Sequence, residues 1–184
     1  MAKVVTEPNL NDRKIKEMKI CSYNCCSLRK NIEMVRKVID SEYDIILLQE
    51  TFITEEKLGD IDSIDENYES VGVGAKYSEK NLVSGTGRPE GALVCLWKSN
   101  AWFDVDKIVL EDNICVICIS IGVIKILVVN VYLNSDIWET STLARYLESL
   151  SRLETILADF RFECIYFMGD FNADPYTGRA WQNL

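Results

Sequence analysis

Three groups of polar residues stand directly after strongly apolar runs in this sequence. Asn24 ends one such run, and Glu50 follows the run Ile-Ile-Leu-Leu-Gln. Asp170 and Asn172 follow the run Cys-Ile-Tyr-Phe-Met. Side chains that leave the carboxyl ends of buried strands converge on one rim of a sheet, where ligands bind. Two carboxylates and two carboxamides on one rim would form a cluster of oxygen donors. Such donors suit Mg²⁺, which needs few protein carboxylates and keeps several waters.

Each of these residues also has an ordinary structural interpretation when it is taken alone. Asn24 could cap a turn, and Glu50 could be a surface acid at the end of a strand. A Gly-Asp turn accounts for Asp170 without any function, and Tyr132 could be a packed aromatic with a satisfied hydroxyl. The functional interpretation rests on the combination, because all four structural explanations would have to hold independently.

The seven cysteines predict neither a disulfide framework nor a zinc site. Their number is odd, and most of them lie inside apolar runs. Cys115 and Cys118 have the spacing of a metal or redox pair, but a second ligand pair is missing and the chain contains no histidine. We therefore expect small buried thiols and a reducing compartment, which is the cytosol or the nucleus.

Length and composition predict a single globular domain. A chain of 184 residues is long enough for a substantial core. Its composition, 48% hydrophobic and 27% charged, is that of a globular protein. The net charge of −9 argues against strong nonspecific DNA binding, since such binding needs a basic surface. Basic residues gather at 13–19 and 28–37, although acidic residues dilute the second group.

The hydrophobic pattern predicts a mixed α/β fold with helices outside its sheets. We assign residues 1–17 to a polar leader and residues 18–184 to the domain. Glycine-rich residues 84–91 are predicted to form a flexible loop. Helices are predicted at 31–41, with Asn31 as a cap, and at 141–160, and strands at 19–23, 44–49, 68–73, 91–98, 102–110, 114–121, 124–132 and 164–168.

The most apolar stretch, residues 114–132, is long enough to raise the question of a membrane span. Polar residues interrupt it at Ser120, Lys125 and Asn130, and Gly122 is well placed for a turn. We therefore expect two buried strands joined as a hairpin, and no membrane partner.

Four short segments resemble the endonuclease/exonuclease/phosphatase superfamily, the group of DNase I and the apurinic-site endonucleases. They are Ile-Cys-Ser-Tyr-Asn at 20–24, Leu-Leu-Gln-Glu-Thr at 47–51, Val-Asn-Val-Tyr at 129–132 and Gly-Asp-Phe-Asn at 169–172. Three further segments resemble the apurinic-endonuclease-like domain of non-LTR (LINE-type) retrotransposon polyproteins. These are Gly-Arg-Pro-Glu-Gly-Ala-Leu at 87–93, Asn-Ala-Asp-Pro at 172–175 and Gly-Arg-Ala-Trp at 178–181. The resemblance covers roughly residues 18–184.

The resemblance implies a four-layered α/β sandwich of the DNase I type that hydrolyses phosphodiesters of target-site DNA with Mg²⁺, or alternatively Mn²⁺. By this analogy Glu50 holds the metal, and Asn24 beside it serves as a second ligand and positions water. Asp170 would orient or deprotonate the attacking water. Asn172 and Tyr132 would donate hydrogen bonds to the phosphate oxygens.

The sequence departs from the family pattern in two places. Tyr132 is followed by Leu133 and Asn134, where the family often has a Pro-Asn pair, so we assign no role to Asn134. The family also closes its site with an Asp-His element on a late strand, whereas this chain has no histidine and ends at Leu184. This difference implies a C-terminally truncated domain that is weak or inactive as an enzyme. Its exposed sheet edge would invite self-association.

Two alternatives stay open at this point. The first is another phosphoesterase of the same fold, acting on nucleotides, inositol phosphates or sphingomyelin. The second is a catalytically inactive remnant that is kept as a binding module, which the missing histidine favours.

Overall fold

The chain folds into two β-sheets and two α-helices within the residues that the computed structural model describes, which are 2–6, 16–77, 87–111, 113–133 and 140–172. Sheet 1 has the strand order β1-β2-β3-β5-β4 and sheet 2 the order β6-β7-β8-β9. The strands are β1 (Ala2–Thr6), β2 (Lys16–Asn24), β3 (Ile45–Gln49), β4 (Tyr68–Val73), β5 (Leu93–Lys98), β6 (Asp104–Glu111), β7 (Ile114–Ile121), β8 (Ile124–Tyr132) and β9 (Cys164–Asp170). The helices are α1 (Ile32–Asp40), a 3₁₀-helix (Glu55–Ser63) and α2 (Thr140–Asp159).

The main core lies between the two sheets. Ile45 and Leu47 of β3 face this core from sheet 1, and Ile117 of β7 faces it from sheet 2. Ile46 and Leu48, which alternate with them, point to the other side of sheet 1. All five residues of β3 are therefore buried, as the continuous apolar run predicted.

The two α-helices cover the outer faces of the sheets. Val35 and Ile39 of α1 pack on sheet 1, and Leu153 and Ile156 of α2 pack on sheet 2. Each helix buries one apolar stripe, which is what the helical spacing of these residues predicted. The layers run helix, sheet, sheet, helix, so the predicted four-layered α/β sandwich is confirmed.

The apolar stretch at 114–132 is a hairpin. Strands β7 and β8 pair antiparallel up to Ile121↔Ile124, and Gly122 with φ 59° lies in the turn between them. Glycine tolerates this left-handed conformation without a steric penalty. Among the helices of the described residues, none has the length and apolar character needed to cross a membrane.

The predicted leader differs from the structure because part of it is a strand. Ala2–Thr6 form β1, which pairs antiparallel with β2 from Ala2↔Ile20 to Thr6↔Lys16. Strand β2 accordingly begins at Lys16 rather than at residue 19. Strand β1 is held by backbone hydrogen bonds to the edge of β2. The periodicity of side-chain hydrophobicity does not report pairing of this kind.

Two smaller features also differ from the predictions. Asn31 lies at the N-cap of α1, but its side chain makes no cap hydrogen bond and instead donates to Cys25 O at 2.8 Å. The 3₁₀-helix was not predicted, because this polar segment has no continuous apolar stripe and buries Ile61 alone. Of the loop predicted at 84–91, residues 84–86 lie outside the described residues.

Candidate active site

Four of the predicted site residues stand at the carboxyl ends of their strands. Asn24 is the last residue of β2, and Glu50 follows the last residue of β3. Tyr132 ends β8 and Asp170 ends β9, and the two residues are register partners. Because β2 runs parallel to β3 and β8 runs parallel to β9, each pair ends on the same side of its sheet. The stacking of the sheets then brings all four residues to one rim, which we call the acidic rim.

The amide of Asn24 joins the two carboxylates of the acidic rim. Its Nδ2 donates to Glu50 Oε1 at 2.9 Å and to Asp170 Oδ2 at 2.9 Å. Glu50 follows a strand of sheet 1 and Asp170 ends a strand of sheet 2, so this contact spans the sandwich. The Asn24 Oδ1 accepts a hydrogen bond from the Cys26 backbone N–H at 3.0 Å, which fixes the direction of the amide. Asn24 thereby holds together two like charges that would otherwise repel each other.

The backbone around Asp170 fixes the position of its carboxylate. Gly169 has φ 129°, and a Cβ at this position would lie 2.1 Å from Val131 O. Any other residue would therefore force β8 and β9 apart. The Asn172 backbone N–H donates to Asp170 Oδ1 at 2.9 Å. With Asn24 on Oδ2, both carboxylate oxygens accept a hydrogen bond.

The hydroxyl of Tyr132 belongs to the same cluster. Burial, followed by the charge of Glu50, the hydrogen bond to Glu50 and the charge of Asp170, raises the pKa of Tyr132 to about 12. The phenol therefore keeps its proton at neutral pH beside the Glu50 and Asp170 carboxylates. A neutral phenol at this position adds no further negative charge to the two carboxylates of the acidic rim.

Backbone strain is concentrated at this end of the molecule. Among the described residues, the non-glycine residues with positive φ are Cys26, Ser27, Glu42, Glu50, Phe52, Ala92 and Asn172. All of these except Glu42 lie in the loops at the acidic rim. Such conformations cost of order 1–3 kcal/mol each and persist only where the surroundings over-determine them. Strain kept around the two carboxylates indicates that their geometry is fixed for a function.

The donor set of the acidic rim fits a hard divalent cation. Glu50 and Asp170 place carboxylate oxygens on two sides of one amide nitrogen. Mg²⁺ takes one or two protein carboxylates and keeps several waters. Over the described part of the chain, no three or more His, Cys, Asp or Glu side chains form a group that could hold a metal ion. Structural zinc sites require such a group. Glu50 and Asn24 both stay predictions as metal ligands, and the Asn24 side-chain N–H groups face the carboxylates.

A family model described as the endonuclease/exonuclease/phosphatase family matches residues 21–183. The chain belongs to this family. The match extends over nearly all of the described fold, so the resemblance of the four short segments is confirmed at the level of the family. A search of curated protein sequences finds no match for the chain.

Solved structures of similar fold include nucleases and phosphatases. One is the 3′ phosphatase NExo from Neisseria bound to a product DNA hairpin, with a TM-score of 0.64 and 19% identity, where the match covers 90% of this chain and 63% of that one. Another is an AP endonuclease from Archaeoglobus fulgidus, with a TM-score of 0.61, 21% identity and coverage of 86% and 58%. A third is the endonuclease domain of TRAS1, a telomere-specific non-LTR retrotransposon, with a TM-score of 0.52, 17% identity and coverage of 86% and 61%. At these identities the comparison shows the fold, and the chain spans about three-fifths of the length of these structures.

Within this family fold, Asn172 lies beside the cluster rather than in it. Its backbone bonds to Asp170, and its side-chain Nδ2 donates to Leu133 O. The predicted contact of Asn172 with a phosphate therefore stays a prediction. Residues 173–184, which include the predicted motifs after Asn172, lie outside the described residues, as does Asn134.

A polar crosslink that the sequence pattern did not predict lies directly beneath the acidic rim. Asn130 is fully buried, and its Oδ1 accepts a hydrogen bond from Gln49 Nε2 at 2.6 Å. Its Nδ2 donates to Leu48 O and Val94 O, both at 3.1 Å. Strand β8 is thereby tied to β3 and β5 across the sheet interface, next to Glu50. The available signal was a carboxamide inside an apolar run, since a buried polar group needs partners.

Four of the seven cysteines are buried as the apolar pattern predicted, whereas two are partly buried and Cys26 is exposed. Cys115 faces the core between the sheets, 3.3 Å from the sulfur of Cys95, whereas Cys118 lies on the opposite face of sheet 2. Two residues on opposite faces of a strand cannot share one metal ion. Burial raises the pKa of the Cys95 and Cys118 thiols. All seven cysteines are free.

Proposed function

We propose that this chain is a metal-dependent phosphodiesterase that hydrolyses DNA by in-line attack of water. The observation that carries the proposal is the Asn24 amide, which holds the Glu50 and Asp170 carboxylates 2.9 Å from one nitrogen. Two opposed carboxylates with a neutral phenol beside them suit a reaction in which water is activated and an anionic phosphate is bound. Membership in the endonuclease/exonuclease/phosphatase family supports the reaction class.

In this proposal each residue of the acidic rim has a separate task. Glu50 holds Mg²⁺, or Mn²⁺ as an alternative, and the metal when bound neutralises charge on the phosphate. Asp170 orients the attacking water and accepts its proton, since both of its oxygens are already held in place. Tyr132 and Asn172 donate hydrogen bonds to phosphate oxygens as negative charge develops on them. Asn24 keeps the two carboxylates at their separation.

The finer proposal is an endonuclease that nicks target DNA for a non-LTR retroelement. It is supported by the segment at 87–93 and by the similar fold of the TRAS1 endonuclease domain. An intracellular, reducing setting in the nucleus or cytosol belongs to the same proposal, and the free cysteines are compatible with it.

The reaction can be tested on supercoiled plasmid DNA. We expect slow nicking that requires Mg²⁺ or Mn²⁺, stops with EDTA and falls about 10²-fold in Asp170→Asn and in Glu50→Gln. Lys125→Gln serves as the control, because Lys125 is exposed at the opposite end of β8 from Tyr132. Nicking that survives EDTA, or that survives both substitutions, would contradict the assignment.

Metal binding gives a second readout that does not depend on turnover. Calorimetric titration with Mn²⁺ is expected to show binding that Glu50→Gln removes and that Lys125→Gln leaves unchanged. Equal Mn²⁺ affinity in Glu50→Gln would place the metal elsewhere in the molecule.

A phosphoesterase with another substrate is the competing proposal, and the fold similarity to a 3′ phosphatase favours it. Duplex DNA with an internal label, a 3′-phosphorylated oligonucleotide and an inositol phosphate separate the two. Release of inorganic phosphate without a nick would support the competing proposal, whereas DNA binding without any turnover would support a binding module.

We also propose that two copies of the chain associate through β9. Among the described strands, β9 has a neighbour on one side only, and its residues are partly exposed along its whole length. Phe167 on this strand is 41% exposed. Unpaired edge strands readily add a second strand. Sedimentation velocity should show a dimer that Phe167→Lys weakens, and a monomer at all concentrations would exclude it.

A further inference from the structure

Two buried thiols meet across the interface between the two sheets. Cys95 belongs to β5 of sheet 1 and Cys115 to β7 of sheet 2, and their sulfur atoms are 3.3 Å apart. Both side chains are fully buried in the core between the sheets. The two residues are 20 positions apart in the sequence, so this contact exists only because the sheets stack.

The buried side chain of Asn130 holds the two thiol-bearing strands in place. Asn130 is the register partner of Cys115 on the neighbouring strand β8. Its Nδ2 donates to the carbonyl oxygen of Val94 at 3.1 Å, directly before Cys95, and its side chain also bonds to the Cys95 thiol. One side chain therefore contacts both strands and fixes the level at which the two sulfurs face each other.

The contact is close to the geometry of a disulfide. A disulfide bond is about 2.0 Å long, so the two sulfurs need to approach each other by about 1.3 Å. Disulfides between facing sheets are known in β-sandwiches, such as those of immunoglobulin domains. Cys118 lies on the opposite face of sheet 2 and Cys26 is exposed, so neither competes for this position.

Oxidation of the pair requires an electron acceptor, and a peroxide is the class of oxidant that suits a closed core. Hydrogen peroxide is small and uncharged, and local opening of a folded domain can admit it. Attack of one thiolate breaks the O–O bond and gives a sulfenic acid and water. The second thiol then attacks the sulfenic sulfur, which forms the S–S bond and releases a second water.

Burial has opposite effects on the two steps. It raises the pKa of the Cys95 thiol, so little thiolate is present and the first step is slow. In the second step the partner thiol is already in contact, whereas other thiols and further peroxide are excluded. Slow entry is therefore followed by selective closure.

We propose that Cys95 and Cys115 are a site of reversible oxidation, at which a peroxide converts the two thiols into a disulfide between the sheets. The bond links β5 to β7 beneath the acidic rim and stabilises the sandwich by constraining the unfolded chain. Under reducing conditions the pair stays as thiols, as in this structure. The inference uses none of the residues proposed for catalysis, so it does not depend on the proposed function.

Peptide mapping of the folded chain tests the bond directly. The full chain is treated with hydrogen peroxide, remaining thiols are blocked with N-ethylmaleimide, and tryptic peptides are analysed by mass spectrometry without reduction. We expect the peptide with Cys95 to be cross-linked to the peptide 108–125, which contains both Cys115 and Cys118. Cys118→Ala is therefore the matched control and should keep the cross-link, whereas Cys115→Ala should abolish it. If Cys115→Ala does not fold, fragmentation of the cross-linked peptide from the unsubstituted chain identifies the bonded sulfur.

Thermal unfolding gives a second readout. The oxidised chain should unfold at a temperature roughly 5 °C or more above that of the reduced chain. Dithiothreitol should reverse the shift. Cys115→Ala should show no rise with peroxide, which separates the disulfide from oxidation elsewhere in the chain.

The inference is overturned if Cys95 stays unmodified while the exposed Cys26 is fully oxidised, or if Cys95 is linked to another cysteine. It is also overturned if the cross-link forms only in urea, because the folded contact then does not direct it. Plasmid nicking by the reduced chain keeps the two proposals apart. A cross-link without any nicking leaves the inference intact and contradicts the hydrolysis, and metal-dependent nicking without a cross-link does the opposite.

Discussion

Two asparagines join the two sheets of this sandwich, and they do so in different surroundings. Asn130 is fully buried and bonds only to protein groups, which are Gln49 and two backbone carbonyls. Asn24 is partly exposed, and its amide bonds to the Glu50 and Asp170 carboxylates. The same side chain therefore closes a polar network in one place and organises an open cluster of charges in the other.

The difference shows that the buried hydrogen bonds between the sheets and the candidate site lie in different parts of the fold. Every polar atom of the Asn130 amide has its partner inside the protein, so its bonds contribute to the alignment of the sheets and leave nothing for a ligand. The Asn24 amide instead holds two like charges close together at the surface, where water can solvate them. We expect substitutions at Asn130 to lower stability and substitutions at Asn24 to lower activity.

The largest expected effect is that of Asn130→Leu on stability. The substitution leaves the side chain of Gln49 and the carbonyl groups of Leu48 and Val94 without this partner in the core. Buried groups left unpaired cost roughly 1–3 kcal/mol each, so the free energy of unfolding should fall by about 3 kcal/mol. Urea denaturation followed by circular dichroism measures the change. If the free energy of unfolding falls by less than about 1 kcal/mol, water replaces the amide as the hydrogen-bond partner, and the buried network of Asn130 is open to solvent.

Gly169→Ala should have the next largest effect, and it should change both the stability of the sandwich and the acidic rim. The new Cβ would meet Val131 O at 2.1 Å in a backbone with φ 129°, so β8 and β9 must separate locally. We expect a loss of about 2 kcal/mol of unfolding free energy together with loss of plasmid nicking, because Asp170, which is proposed to orient the attacking water, follows directly. Gly59→Ala is the matched control, since a Cβ there has open space around it. Equal stability of the two variants would show that the bend at Gly169 is not required.

Asn24→Leu makes the same change of residue type as Asn130→Leu, so the two asparagines can be compared directly. The Glu50 and Asp170 carboxylates lose a shared donor but can be solvated at the rim, so the unfolding free energy should change by less than about 1 kcal/mol. Nicking of plasmid DNA should fall about 10- to 100-fold, because the carboxylates are no longer held at one separation. A loss of stability as large as that of Asn130→Leu would show that Asn24 is a structural residue.

Much of the fold could be predicted from the sequence, because side-chain periodicity reports which faces are buried. The run at Ile45–Gln49 and the hairpin around Gly122 were predicted with nearly the observed bounds. Strand β1 and the 3₁₀-helix were not, since backbone pairing at an edge and a polar helical segment leave little trace in hydrophobicity. Periodicity therefore predicts the layers better than it predicts their edges.

The candidate site was only partly predictable for a different reason. Asn24, Glu50, Tyr132 and Asp170 could be proposed because each ends an apolar strand, and strand ends converge. The crosslink of Gln49 to Asn130 depends on which strands of the two sheets face each other. That property does not follow from the pattern of a single segment.

The smallest expected effect on stability is that of Tyr132→Phe, and it appears only at high pH. The folded pKa of Tyr132 is about 12, above the value near 10 that a tyrosine has in an unfolded chain. Because the folded pKa is the higher one, its contribution to stability is complete below about pH 10 and is lost as the pH rises through about 12. The unfolding free energy should therefore fall with pH over this range, and less steeply in Tyr132→Phe.

Tyr68→Phe provides the matched control for this prediction. Burial also raises the pKa of Tyr68 to about 12, but its hydroxyl donates to Tyr43 O, away from the acidic rim. Each substitution should reduce the pH dependence by up to one proton, whereas only Tyr132→Phe should slow nicking, about tenfold. If the two variants slow nicking equally, the neutral donor next to Glu50 has no catalytic role. If Tyr132→Phe leaves the pH dependence unchanged, the phenol is solvated, and its place in the cluster is wrong.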